Sequence, residues 1–167
     1  KQLETKPANA ALMLDLDDDQ VDEIIVIDQK GFLHAFDANG DAITGWPVTT
    51  MVTTNASQIS FGELSPKQGK VFVITGSDGT TDVIDTQGNR INGFPVTPSV
   101  SSQRSFSYAP ILFDLDQDGA SELILARDDG YIMAWDSQAQ TINGFPINLE
   151  QSIGPLAAGV FGADQKP

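Results

Sequence analysis

The stretch DLDDDQVDEIIV at residues 15–26 returns 99 positions later as DLDQDGASELIL at residues 114–125. An internal repeat constrains a chain more than its composition does, because each copy must be one structural unit that covers its neighbours. Downstream, GFLHAFDANGDAITGWPV from Gly31 matches GYIMAWDSQAQTINGFPI from Gly130 at the same offset, and GTTDVIDTQGNRINGFPV from Gly79 falls between them. Three copies follow one another, spaced 48 and then 51 residues apart. A fourth opens in IGPLAAGVFGADQKP, where Pro155 can be laid on Pro110.

Each copy reads as four short strands. AALML, QISFG and APILF are brief apolar runs, the pattern of a strand buried on both faces. EIIVI, KVFVIT and ELILA follow, rich in β-branched residues, and the acidic loop precedes two of the three. The turns DQKG, GSDG and RDDG end in glycine, as hairpins do, and lead into FLHAFD, TTDVID and YIMAWD, which alternate between faces. A shorter fourth strand is expected to end at TGWP, NGFP and NGFP, since proline cannot donate to a ladder and suits an edge or an exit. Four antiparallel strands in about 50 residues make one blade of a β-propeller. The expected fold is therefore all-β: blades at about 8–48, 56–96 and 107–147, with residues 153–167 starting a further one.

Acidic side chains at every second position repel one another, and a hard cation or open water is what makes the arrangement tolerable. A plain solvated turn is the ordinary fate of a charge run and stands as the alternative. An EF-hand starts with the same spacing but needs a bidentate Glu at position 12 between two helices. Here that position is Val26 or Leu125, inside a strand pattern, and a dockerin fails for the same reason.

FDLDQDGASELILARDDGYIMAWD and LDLDDDQVDEIIVIDQKGFLHAFD, each closed by Gly-Phe-Pro or Gly-Trp-Pro, resemble the FG-GAP or VCBS repeat family. Those are the propeller blades of integrin alpha-chain heads and of many bacterial surface and secreted proteins. The hairpin alone also resembles the tryptophan-docked repeats of quinoprotein-like propellers, which lack the acidic loop. The FG-GAP resemblance implies calcium held by side chains at loop positions 1, 3, 5 and 9 and by a carbonyl at position 7. In the third copy these are Asp114, Asp116, Asp118 and Glu122 with the carbonyl of Ala120; in the first, Asp15, Asp17, Asp19 and Glu23 with that of Val21. Oxygen ligands on a short loop suit calcium better than magnesium, which wants a stricter octahedron. Gly119 fits the sharp turn at position 6, whereas Gln20 in the first copy would need a positive φ at some cost, and Asp22 beside Glu23 could compete as ligand. In the middle copy the positions hold Glu63, Ser65, Lys67 and Val71, so no calcium is expected there.

Little points to catalysis. His34, the one histidine, lies at an alternating strand position, and no Gly-x-Ser-x-Gly elbow, phosphate loop or His-Glu-x-x-His motif occurs. A calcium ion saturated by carboxylates is a poor Lewis acid, which makes its expected role structural. With 9 basic against 23 acidic residues the formal charge is -14, unfavourable for nucleic acid or anionic lipid. No apolar window reaches the ~18 residues of a membrane span, and the absence of cysteine excludes disulfides and thiolate chemistry.

Trp46, Phe94 and Phe145 share one repeat position, Trp135 and Phe36 another, and the first set is expected in the seams between blades. The Ser/Thr-rich connections carry Arg104, Phe106 and Tyr108, together with the sequon at Asn55, and are either solvated connectors or variable binding loops. Three blades and a start fall short of the usual four to eight. That predicts either a piece of a longer polypeptide or several chains assembling one propeller. The functional expectation is a non-enzymatic, calcium-binding recognition or adhesion scaffold, extracellular, on the cell surface or in the periplasm, with a protein or carbohydrate ligand. The alternative is the accessory propeller portion of an extracellular hydrolase or lyase that degrades polysaccharide or another polymer.

Overall fold

A computed structural model describes residues 6–8, 11–52, 56–100 and 105–159, and the side chains of residues 56 and 57 are left aside. Asn55, Arg104 and the last eight residues of the expected fourth copy lie outside the described residues. The protein is all-β, with three antiparallel sheets and no helix among the described residues.

The first sheet is built from β1 (Leu12–Leu14), β2 (Glu23–Ile27), β3 (Phe32–Phe36) and β4 (Val48–Thr49), in that spatial order. The middle sheet holds β5 (Ala56–Ser65), β6 (Gly69–Gly76) and β7 (Thr81–Asp85). β8 (Ile111–Phe113), β9 (Glu122–Ala126), β10 (Tyr131–Trp135) and β11 (Ile147–Asn148) form the third. The register is the same in all three: Leu14 faces Glu23, Gly62 faces Val71, and Phe113 faces Glu122. One side-chain alternation therefore builds every sheet, since successive residues of a strand point to opposite faces.

Three expectations are corrected. The first strand is not buried on both faces, for Met13 at the centre of β1 is exposed and its neighbours are half-buried. The fourth strand begins after the proline instead of ending at it. Ala42 and Thr141 make only single bridges to Phe36 and Trp135, and the chain turns at Gly-Trp-Pro or Gly-Phe-Pro before Val48 and Ile147 pair with Leu33 and Ile132. Proline has no N–H for the ladder, so pairing resumes one residue later. In the middle copy the fourth strand shrinks to the isolated bridges Ile84–Arg90 and Thr81–Val96, leaving a three-stranded sheet.

The core lies in two seams. Ile25, Ile27, Leu33 and Ala35 of the first sheet pack against Ile59, Phe72, Ile74 and Ile84 of the middle one. The other face of the middle sheet gives Val71, Val73 and Val83 to a second cluster with Leu123, Leu125, Met133 and Trp135. Trp46 enters the first seam edge-on to Phe72, with ring centroids 5.9 Å apart, and Phe94 is buried in the second, as expected for that repeat position. Phe145 is half-buried and belongs to neither cluster.

A polar clasp fastens the first connection to the middle sheet. The fully buried Asp82 carboxylate accepts from Arg90 Nε and Nη2 at 2.8 and 3.0 Å and from the Met51 backbone N–H at 2.7 Å. Arg90 Nη2 also donates to the Thr49 carbonyl at 3.4 Å. A buried carboxylate with this many donors is satisfied, as burial of a charge requires.

Candidate metal centres

The two acidic loops, residues 15–22 and 114–121, join the first and second strands of their sheets and are built alike. Asp15 accepts from the N–H groups of Asp19 and Gln20 at 3.0 and 2.9 Å. Asp114 accepts in the same way from Asp118 and Gly119, both at 3.1 Å. Asp19 then accepts from Val21 at 2.7 Å, and Asp118 from Ala120 at 2.8 Å. Asp116 adds a bond from the Asp118 N–H at 3.2 Å. These side chain to backbone bonds, typical of short polar residues in turns, curl each loop around its own carboxylates.

The curl needs left-handed backbone twice per loop: φ is 62° at Asp18 and 71° at Gln20 in the first, 63° at Gln117 and 91° at Gly119 in the third. The positive φ expected at Gln20 is present. We predict that Gln20→Gly stabilises the chain by about 0.5–1 kcal/mol, because relief of roughly 1–2 kcal/mol of left-handed strain outweighs glycine's extra freedom when unfolded. Urea unfolding measures it, and a loss of stability would show that the glutamine side chain matters more than its backbone.

Glu23 and Glu122 open the second strands and are buried. Each reaches back across its loop, Glu23 to the Leu16 N–H at 2.8 Å and Glu122 to the Leu115 N–H at 2.6 Å. Burial pushes the Glu122 carboxyl above the usual range; the Leu115 N–H opposes this, and the charges of Asp116, Asp118 and Asp114 add to it. A neighbouring cation would remove that penalty.

Carboxylate oxygens of Asp15, Asp17 and Asp19 lie within 4.8 Å of one another, as do those of Asp114, Asp116 and Glu122. Each loop thus gathers three of the four carboxylates expected as ligands; Glu23 and Asp118 stand outside these groups, both held by backbone N–H contacts within the loop. Val21 is exposed and Ala120 half-buried, and the bonds from their N–H groups fix the loop at position 7. The donor set is all hard oxygen on a short loop, which fits calcium and suits neither zinc nor copper.

The middle copy forms no such loop. Its ladder continues through Glu63–Lys70 and Ser65–Gly69, and Lys67 sits in a tight hairpin turn. The exposed Lys70 ammonium lies 3.7 Å from Asp18 of the first loop. On the other side, the Leu64 carbonyl accepts from the Ser121 N–H at 2.7 Å, anchoring the third loop where it enters β9.

Elsewhere, His34 is half-buried, stacked on Phe36, with Nε2 3.3 Å from Asp28 Oδ2. Phe106, a candidate for ligand contact in the second connection, is instead core, beneath the buried Arg127 guanidinium that also covers Tyr131. Tyr108 donates its hydroxyl to the Ile153 carbonyl at 3.0 Å. The Asp82–Arg90 clasp and the Arg127 stack were not legible in the sequence, because neither shows a spacing or motif.

No protein-family model matches this chain, and no curated protein matches it. Among solved structures, the crystal structure of BBS1N in complex with ARL6DN, soaked with lead, aligns with 84% of this chain at a TM-score of 0.49 and 12% identity. The chain spans 43% of that structure's length.

Proposed function

We propose that this chain is a calcium-binding segment of a β-propeller. In this reading its three sheets are successive blades, and its acidic loops are structural calcium sites in a secreted or cell-surface protein of the FG-GAP or VCBS type. The segment itself is a non-catalytic scaffold for recognition or adhesion. One observation carries the reading: the same loop, with the same carboxylate to backbone bonds, is built twice at the same register, 99 residues apart, around convergent acids. Solvated turns have no need to repeat a left-handed, carboxylate-lined curl, and the middle copy, which keeps only Glu63 of the four acids, has a plain hairpin there.

Isothermal titration provides the test. Two calcium ions should bind per chain, with dissociation constants on the order of 10⁻⁴–10⁻³ M or tighter, the range of extracellular modules. Asp116→Ala should leave one, and Lys67→Ala should leave both. Absence of binding, or binding indifferent to Asp116→Ala and Asp17→Ala, would defeat the reading.

A further inference from the structure

We infer that a groove between the first and middle sheets binds an arginine side chain presented by a partner polypeptide. The inference supplies a ligand for the recognition role proposed above and rests on that role, though not on its calcium.

The groove encloses about 430 Å³, within the range of ligand sites. Leu16, Asp17 and Asp18 of the first acidic loop line one side, Thr86 and Gln87 of the turn after β7 the other, and Trp46 lines it as well. It exists because the first seam is open at a place where the second is shut. A side chain at Gly93 would meet the Ala139 Cβ and the Gln138 carbonyl at 2.9 Å, whereas one at the equivalent Gly45 would meet nothing within 4 Å. Phe94 is buried, but its counterpart Trp46 is half-buried. Ser137 is buried, but its counterpart Thr86 is half-buried. Gln68 of the middle hairpin closes the second seam: its Nε2 donates to the Ser137 carbonyl at 2.8 Å, and its Oε1 accepts from Ser65 Oγ. In the first sheet Asp17 stands at the position of Ser65, and the acidic loop replaces the hairpin that carries Gln68.

The lining holds two carboxylates and no basic side chain. Lys70 approaches Asp18 at 3.7 Å, but both are exposed, and such pairs hold their members weakly. Charge therefore favours a cation, which the formal charge of -14 also draws in. Arginine matches the remaining surfaces. Its flat guanidinium stacks on indole and donates two parallel bonds to a carboxylate, while its stem covers apolar surface such as that of Leu16 and Trp46. A neutral glycan would use the tryptophan and the hydroxyls, but would gain nothing from the charge.

The two tryptophan indole N–H signals of the ¹⁵N-labelled chain provide the test, with the Trp46 signal assigned as the one lost in Trp46→Phe. N-acetyl-arginine amide, titrated at constant ionic strength to about 20 mM, where a site of millimolar affinity fills, should move the Trp46 signal. The signal of Trp135, buried in the second seam, should stay in place. The citrulline analogue, equal in shape but uncharged, should bind at least about tenfold more weakly. Asp18→Asn should weaken arginine at least about threefold; the side chain it replaces is exposed, and asparagine tolerates the φ of 62° there. Thr86→Lys, which puts a cation into the groove, should abolish binding. A still Trp46 signal, or citrulline binding as well as arginine, would overturn the inference. So would a methyl glycoside moving Trp46 where arginine does not, which assigns the groove to a glycan, or free arginine outdoing the blocked form, which assigns it to a free amino acid. Repeating the titration with calcium and with chelator separates the two readings: arginine binding without any calcium binding removes the calcium sites alone, and calcium binding with a still Trp46 signal removes the groove alone.

Discussion

Calcium added to chelator-treated protein is expected to raise the melting temperature by about 5–11 °C for each loop filled, at a free concentration a hundred times the dissociation constant. An ion that binds only the folded chain stabilises it by about 2.7 kcal/mol under that condition, and each kcal/mol shifts melting by roughly 2–4 °C at this chain length. The folded loops invite the ion because they hold their carboxylates together at a cost. Asp114, Asp116 and Glu122 present oxygens within 4.8 Å of one another, and Glu122 is buried among the like charges of its loop. Unfolding disperses these charges into water and removes the site. Asp116→Ala should reduce the shift by about half while Lys67→Ala leaves it whole, two equal sites being summed. Magnesium, which tolerates flexible coordination less well, should give a smaller shift. An unchanged melting curve at about 10 mM calcium, well above the weakest affinity of extracellular modules, would refute structural calcium here.

Phe72→Ala should lower the unfolding free energy by about 3–5 kcal/mol, the usual cost of deleting a buried aromatic. The ring has no exposed surface, sits edge-on to Trp46, and lies 4.9 Å from the Phe61 ring. Truncation opens a void between two sheets that neither can collapse into, since each is held by its own ladder. With total stability in the range of 5–15 kcal/mol, the variant should unfold at markedly lower urea. The matched control is Ile24→Ala, at the same register position on the outer face of the first sheet, which should cost less than about 1 kcal/mol. Equal losses at the two positions would contradict the placement of the core in the seams.

The same pair shows what local sequence leaves unspecified. Ile24, Phe72 and Leu123 look alike in their repeats, each an apolar residue in a β-branched run, and no local pattern tells the exposed one from the buried two. The acidic loops were legible because their chemistry is local: alternating carboxylates, a turn residue at position 6 and a strand beginning at position 9 lie within one short window. Gln20 adopts the positive φ its position demanded for the same reason. The fourth strand lies beyond the place its proline suggests, because the ladder resumes one residue after Pro47 and Pro146. In the middle copy only Glu63 remains of the four acids, and a tight hairpin lets β5 and β6 pair through the place where the loops stand in the other two.

By itself the sequence determined the repeat, the strand character and alternation of each copy, and the spacing of two sets of carboxylates, all properties carried within a few residues of chain. The tertiary structure decided which apolar faces become seams and which stay bare, that Asp82 closes over Arg90 and the Met51 N–H, and that Phe106 is core. Those outcomes depend on contacts between residues far apart in the chain, and burial is a property of the neighbour that arrives, which a side chain's own identity does not specify.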